Sequence, residues 1–241
     1  MRLAALTIAI FLACISPVSA QEHLVPEMHL FGMPDQYQQK IRQLFEEGFR
    51  PEVRAKVLIL ESFTTESLVG IRKTSHGMEV FHLRARSSIG DTEILKEYEA
   101  GRITLLDRNG NQTPGIETKE YQDLKSRTPS DFREIPIESR TKSMDQGTAD
   151  RVLDVWKTML LETHYTKKGR FGKDGTTYYF SMWDSGSGPL TGEIWSPSEA
   201  SRTGRLVHLA NSLRRYAHQE VSEANLKAII KTTRLQLNAT R

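Results

Sequence analysis

The chain has 241 residues and a single cysteine, with 33 Lys and Arg against 30 Asp and Glu, a formal charge of +3. One cysteine leaves no intramolecular disulfide and no cysteine zinc cluster. A charge this close to balance speaks against a nucleic-acid partner. The composition, 38% hydrophobic and 26% charged, is that of an ordinary globular protein with enough chain for one large domain or two small ones.

Residues 1–20 read as a cleavable secretory signal: Arg2 is a short positive start, Leu3–Ile15 is nearly all apolar, and Val18-Ser19-Ala20 has signal-peptidase spacing. Cleavage after Ala20 would export the protein and remove Cys14, leaving no thiol nucleophile. Leu12-Ala13-Cys14 also resembles the end of a lipoprotein signal, although Phe11 stands where leucine is usual, so lipid anchoring at Cys14 is the minor alternative. No later run is long and apolar enough to span a bilayer. Charge is uneven: residues 21–150 carry 18 Lys and Arg against 22 Asp and Glu, net −4, and residues 151–241 carry 14 against 8, net +6. A solvated surface explains this, as would docking of the two halves on each other or an acidic partner for the rear half.

Residues 21–34 lack periodicity and read as an N-terminal arm. Pro34-Asp35 opens a helix with Tyr37, Ile41, Leu44, Phe45 and Phe49 as its apolar positions, stopped by Pro51. Val53–Phe63, Ser67–Lys73 and Met78–Arg86 are three strand-like runs, expected as an antiparallel meander. The third alternates Phe81, Leu83 and Ala85 with His82, Arg84 and Arg86, which predicts one core face and one wet face. Asp91–Ala100 is helix-prone, Arg102–Asp107 is expected as a short strand, and Asn111–Ser130 as an excursion loop with a helical turn. Phe132–Lys142 contains Pro136 and is expected at a sheet edge. Thr148 is the expected cap of a helix whose stripe is Val152, Val155, Trp156, Met159 and Leu160.

Asp174-Gly175 has the chemistry of a hairpin turn. It precedes Thr176–Trp183, a β-branched and aromatic strand, a Gly/Ser loop at Asp184–Pro189, and a returning strand at Leu190–Trp195. Serines from Ser196 onward offer caps for a helix striped by Leu206, Leu209, Ala210, Leu213 and Tyr216. Ser222 caps a last helix with Leu226, Ile229, Ile230 and Leu237. The expected fold is α+β, with antiparallel strands (an N-terminal meander and a C-terminal hairpin) packed with amphipathic helices. It fills residues 35–241 as one domain, or as two lobes meeting near residue 145.

Few motifs carry chemistry. Asp184-Ser185-Gly186-Ser187-Gly188-Pro189 resembles the Gly-Asp-Ser-Gly-Gly-Pro run around the serine of chymotrypsin-like proteases. It departs from that run at Trp183, which replaces the first glycine, and at Ser187, which interrupts the glycine pair. Ser185 and Ser187 are therefore expected as loop residues, not nucleophiles. Asp107-Arg108-Asn109-Gly110-Asn111 alternates oxygen side chains as calcium loops do, but Gln112 and Thr118 stand where glycine and glutamate are needed. The seven histidines show no i,i+4 pair. Lys167, Lys168, Arg170 and Lys173 with Phe171, joined by Arg214-Arg215, read as a solvated loop or as a contact for phosphate or an acidic partner. Asn111-Gln112-Thr113 and Asn238-Ala239-Thr240 are glycosylation sequons. No metal or cofactor is expected.

Alternation places Tyr179 and Trp183 on one face of their strand and Trp195 on the matching face of the next, with Ser, Thr and Glu between them. Phe180 and Met182, opposite, should meet the Leu206, Leu209 and Leu213 stripe. Tyr179, Trp183 and Trp195 are therefore the candidate partner-binding residues, for a protein or a glycan, unless another segment covers them. The functional expectation is a non-enzymatic exported binding protein; the alternative is a hydrolase whose active site is assembled from distant segments.

Overall fold

The computed structural model describes residues 23–26, 35–104, 119–165 and 174–239. The expected leader, most of the expected arm, the calcium-like run, the Asn111 sequon, Thr240 of the second sequon and the Lys167–Lys173 cluster lie outside these residues. The architecture is α+β. Strands β1 (Val53–Glu61), β2 (Ser67–Thr74) and β3 (Gly77–Ala85) form the meander, and β4 (Ile137–Met144) flanks β3. Strands β5 (Thr176–Asp184) and β6 (Gly188–Trp195) form the hairpin. All pairings are antiparallel, in one six-stranded sheet of order β4-β3-β2-β1-β5-β6. Because β5 pairs with β1, the front meander and the rear hairpin share one sheet.

Three helices cover one face: α4 (Gln146–Leu161), α5 (Arg202–Ala217) and α6 (Glu223–Ala239). Their stripes, Val152, Trp156 and Met159, then Leu206, Leu209 and Leu213, then Leu226 and Ile230, meet Val57, Val69, Val80, Phe180 and Ile194 of the sheet. Trp156 packs edge-on against Phe180 with ring centres 5.2 Å apart. Each large side chain buried here contributes about 1.5–3 kcal/mol, which is why the stripes hold these helices to the sheet. On α5 the cap is Ser201, whose hydroxyl accepts from the Gly204 amide. A Cβ at Gly204 would lie 1.9 Å from the Ser198 carbonyl oxygen, so only glycine lets the chain turn this closely into the helix.

The opposite face is only partly covered. Helix α1 (Asp35–Leu44) and the 3-10 turn Glu46–Phe49 lay Ile41 and Phe45 on Leu58, Leu68, Phe81 and Leu83. Helix α2 (Ile89–Glu99) contributes Ile89 to this layer and, with Leu95, meets Tyr121 and Leu124 of α3 (Lys119–Arg127) in a small separate cluster. Gly70, opposite both Lys56 and Phe81, makes room for the Phe81 ring. Beyond the sheet, Val25 bridges Glu193 of β6, and Leu24 packs beside Gly192.

Several local expectations need correction. The second face of β3 is not wet as a whole: Met78, Val80 and His82 are buried beneath the helices, and only Arg84 and the following Arg86 are exposed. Arg102–Thr104, the described part of the expected short strand, is irregular. The excursion after Asn111 holds a nine-residue helix, α3. The edge strand begins at Ile137, after a 3-10 turn at Phe132–Glu134 and Pro136. Asp145, not Thr148, caps α4; its carboxylate accepts from both the amide and the hydroxyl of Thr148. Asp145 stands immediately before the first helical residue, where a side-chain acceptor reaches the free amides of the first turn, and Thr148 is already inside that turn. Asp174-Gly175 leads into β5, and Gly175 docks on Ser62 through paired hydrogen bonds.

Candidate functional site

Where α1 and the 3-10 turn end, the second face of the sheet opens into a groove against the β5–β6 hairpin. Its walls are Gln38, Ile41 and Arg42 of α1, Phe49, Arg54 and Lys56 near the start of β1, and Tyr179, Ser181, Trp183, Pro189 and Thr191 of the hairpin. The cavity volume is about 290 Å³. Register builds this set. Lys56 pairs with Ser181, Leu58 with Tyr179, Ser181 with Thr191, and Trp183 with Pro189, so alternate residues of three strands share the floor.

Lys56 is the unusual residue. It sits half-buried on a strand face whose next members, Leu58 and Leu60, pack in the core. Its Nζ lies 4.7 Å from the centre of the Phe49 ring, and the Arg42 guanidinium lies 5.4 Å from the same ring. Burial, reinforced by the neighbouring Arg42 charge, pushes the Lys56 ammonium below its usual range. Contacts of this kind return roughly 0.5–2 kcal/mol each and offset only part of a desolvated charge. Among the described residues no carboxylate lines the groove, and none pairs with Arg42, Arg54 or Lys56. Glu193, opposite Tyr179 on this face, is buried and is not part of the wall.

The three expected aromatic residues do not form one cluster. Tyr179 and Trp183 line the groove, and Trp183 is 61% exposed. Trp195 pairs with Thr177, six residues along β5 from Trp183, a separation of about 20 Å. There it packs over Gly175, where a Cβ would meet its ring at 2.8 Å. Parity predicted the shared face correctly and could not show the distance along the strand. Phe180 and Met182 turn the other way into the helical layer with Leu206, Leu209 and Leu213, as expected. The groove's cations were missed because they come from elements more than 120 residues earlier in the chain. The available signal was a lysine at a core-facing position of an otherwise apolar run.

A second cavity lies between the ends of β3 and β4 and the C-terminal end of α5. It is lined by His82, Arg84, Arg140, Arg214, Arg215 and His218, with Glu61, Glu138 and Glu220 among them. His82 Nδ1 and His218 Nε2 are 2.8 Å apart, so one ring donates to the other. Burial, then the His218, Arg214 and Arg84 charges, push His82 down to about 3, which keeps it neutral at physiological pH. Among the described residues neither histidine is hydrogen-bonded to a hydroxyl.

Ser185 and Ser187 lie in the tight β5–β6 turn. Asp184 Oδ2 accepts from the Gly186 and Ser187 amides, while Oδ1 accepts from Lys157 at 2.6 Å. That aspartate is a turn cap tied to α4, not the orienting member of a triad. Among the described residues no group of three or more His, Cys, Asp or Glu side chains is arranged to hold a metal ion. No helix among them is long and apolar enough to cross a membrane. No family model, curated protein or solved structure matches the chain.

Proposed function

We propose that the protein is a non-enzymatic exported binding protein and that the groove between α1 and the β5–β6 hairpin is its binding seat. The observation that carries this reading is Trp183: a large aromatic side chain left open on a sheet face whose other half is covered. Exposed aromatic residues beside a concave surface are enriched where partners bind, because they bury a large area at small entropic loss. Tyr179, half-buried beside it, adds a polar tip. Export rests on the leader-like residues 1–20. Trp195 belongs to the same reading only as a support for the strand that carries Thr191.

The test joins two measurements. The intact mass of the exported product should begin at Gln21; a diacylated mass beginning at Cys14 or an uncleaved chain would contradict the export step. Tagged mature protein and a Tyr179→Ala/Trp183→Ala variant, both shown folded by circular dichroism, are then used for affinity capture from the envelope fraction. A partner retained equally by both proteins would rule the groove out as the seat.

A further inference from the structure

The groove's chemistry narrows its occupant, an argument that rests on the binding-protein reading above. Three cations, Arg42, Arg54 and Lys56, converge on a wall without a carboxylate among the described residues. A half-buried ammonium in that position is held against its own solvation preference. Where the partners of α1 are structural, the chain supplies carboxylates: Glu66 receives Tyr37, and Glu93 pairs with Lys40. Around Lys56 it supplies none, so the missing countercharge belongs to the ligand. Two further polar groups point to a ligand with many hydroxyls. The hydroxyls of Ser181 and Thr191, directly opposite each other, have no hydrogen-bond partner among the described residues. They alternate with Tyr179, Trp183 and Pro189, which offer flat, weakly polar surfaces.

We infer that the groove binds an acidic sugar, one pyranose ring bearing a carboxylate, within a longer polyuronate chain. The carboxylate takes Lys56 with Arg42 beside it, the ring's C–H face lies on Trp183, and ring hydroxyls meet Ser181 and Thr191. The volume, about 290 Å³, lies just under the range of roughly 300–1,000 Å³ for small-molecule pockets and suits one or two rings, with the chain continuing past the open rim. A fatty acid would need an enclosed apolar shaft. Here hydroxyls and cations alternate with the apolar residues along the whole wall.

The experiment titrates the mature protein with a tetramer of galacturonate, a neutral glucose tetramer and a glutamate tetrapeptide. Tryptophan emission and calorimetry are followed at low and at 0.5 M salt. The expected result is saturable binding of the uronate tetramer, weakened at least tenfold by Lys56→Met, retained within a fewfold by Lys56→Arg, and weakened by salt. Neutral-tetramer binding of equal strength, tighter binding of the glutamate peptide, or an unchanged affinity in Lys56→Met would overturn the acidic-sugar assignment. Failure of all three probes, alongside a captured partner that the Tyr179→Ala/Trp183→Ala variant loses, would overturn the sugar assignment and leave the groove reading standing. Retention of that partner by the variant would end both.

Discussion

The Tyr37 hydroxyl donates a 2.6 Å hydrogen bond to Oε1 of Glu66, a carboxylate with almost no exposed surface. The same oxygen accepts from the Ser88 hydroxyl and the Ile89 amide, so one side chain ties α1 to the first turn of α2. The helix N-terminus adds favourable charge to the carboxylate. Burial and Glu66 together push the Tyr37 phenol far above its usual range, so it remains a donor at every accessible pH.

Replacing Tyr37 by Phe removes a donor from a charged buried acceptor. It should destabilise the fold by about 1.5–3 kcal/mol. Glu66→Ala should do more harm, since it leaves the Tyr37 and Ser88 hydroxyls and the Ile89 amide without their acceptor. Urea denaturation of the two variants checks the order. An unchanged midpoint in Tyr37→Phe would show that the contact carries no net stability.

Lys56→Met should leave the protein as stable as the wild type or more stable by about 1 kcal/mol at neutral pH, because it removes a desolvated cation and keeps an unbranched side chain one atom shorter. The pH dependence has a definite sign. The folded-state value lies below the ordinary 10.5, so between the two the unfolded chain holds more protons and wild-type stability rises with pH. Below that window the full penalty operates. Urea midpoints at pH 7 and pH 10 should therefore converge between wild type and Lys56→Met as pH rises.

His82 gives the opposite end of the scale. Its folded value of about 3 lies well under the ordinary 6.5. Between these values the unfolded chain binds a proton that the folded chain does not, so stability falls as pH drops from 6.5 towards 3. The loss is at most about 1.4 kcal/mol per pH unit. His218 and Arg214 at the end of α5, Arg84 on the same strand and Arg140 opposite on β4 face this ring. His82→Gln should flatten the slope in that window, measured as the urea midpoint against pH.

Gly70→Ala should be among the more damaging single-methyl additions. A Cβ there would lie 2.6 Å from the Ala55 carbonyl oxygen and 2.6 Å from the Phe81 ring. Backbone on one side and a buried ring on the other leave nothing flexible to yield, which predicts a loss of about 1–3 kcal/mol. Thermal unfolding tests it, with a fall of roughly 2–4 °C per kcal/mol for a chain of this size.

Trp156 and Trp183 should separate spectroscopically. Trp156 has no exposed surface and Trp183 is 61% exposed. A variant keeping only Trp183 should emit to the red and be quenched efficiently by acrylamide, and one keeping only Trp156 should be blue-shifted and resistant. Blue, protected emission from Trp183 would mean that the groove is closed in solution.

Much of the fold could be read from side-chain periodicity, because each element's burial pattern is local. The stripes of α4, α5 and α6 follow the 3.6 repeat and β1 begins with a 2.0 alternation, whereas β2 and β3 carry unbroken buried runs, Ser67–Ile71 and Val80–Leu83, where both sheet faces are covered. What periodicity lacks is adjacency. Nothing in Thr176–Trp183 says that β1 is its partner, and without that pairing Lys56 never meets Ser181. His82, Arg84 and Arg86 look like a wet face, but the pattern along β3 cannot show that α5 ends over His82 and stops short of Arg84. The groove was thus half visible, as Tyr179 and Trp183, and its charged half required the tertiary structure.

The contact between Val25 and Glu193 bears on how this chain behaves towards other copies of itself. A sheet presents unpaired backbone groups along both outer strands, and each is a template on which a second chain can polymerise. On β4 the exposed Glu138 and Arg140 repel an incoming strand by charge and desolvation. On β6 the one charged side chain, Glu193, is buried. There the protection is a strap: Val25 and Glu193 exchange two backbone hydrogen bonds of 3.0 and 2.7 Å, with Leu24 slotted beside Gly192. Lifting that strap would bare the outer backbone of the hairpin that carries Trp183. The outer edge of the strand that forms one wall of the groove thus owes its cover to two residues, Leu24 and Val25.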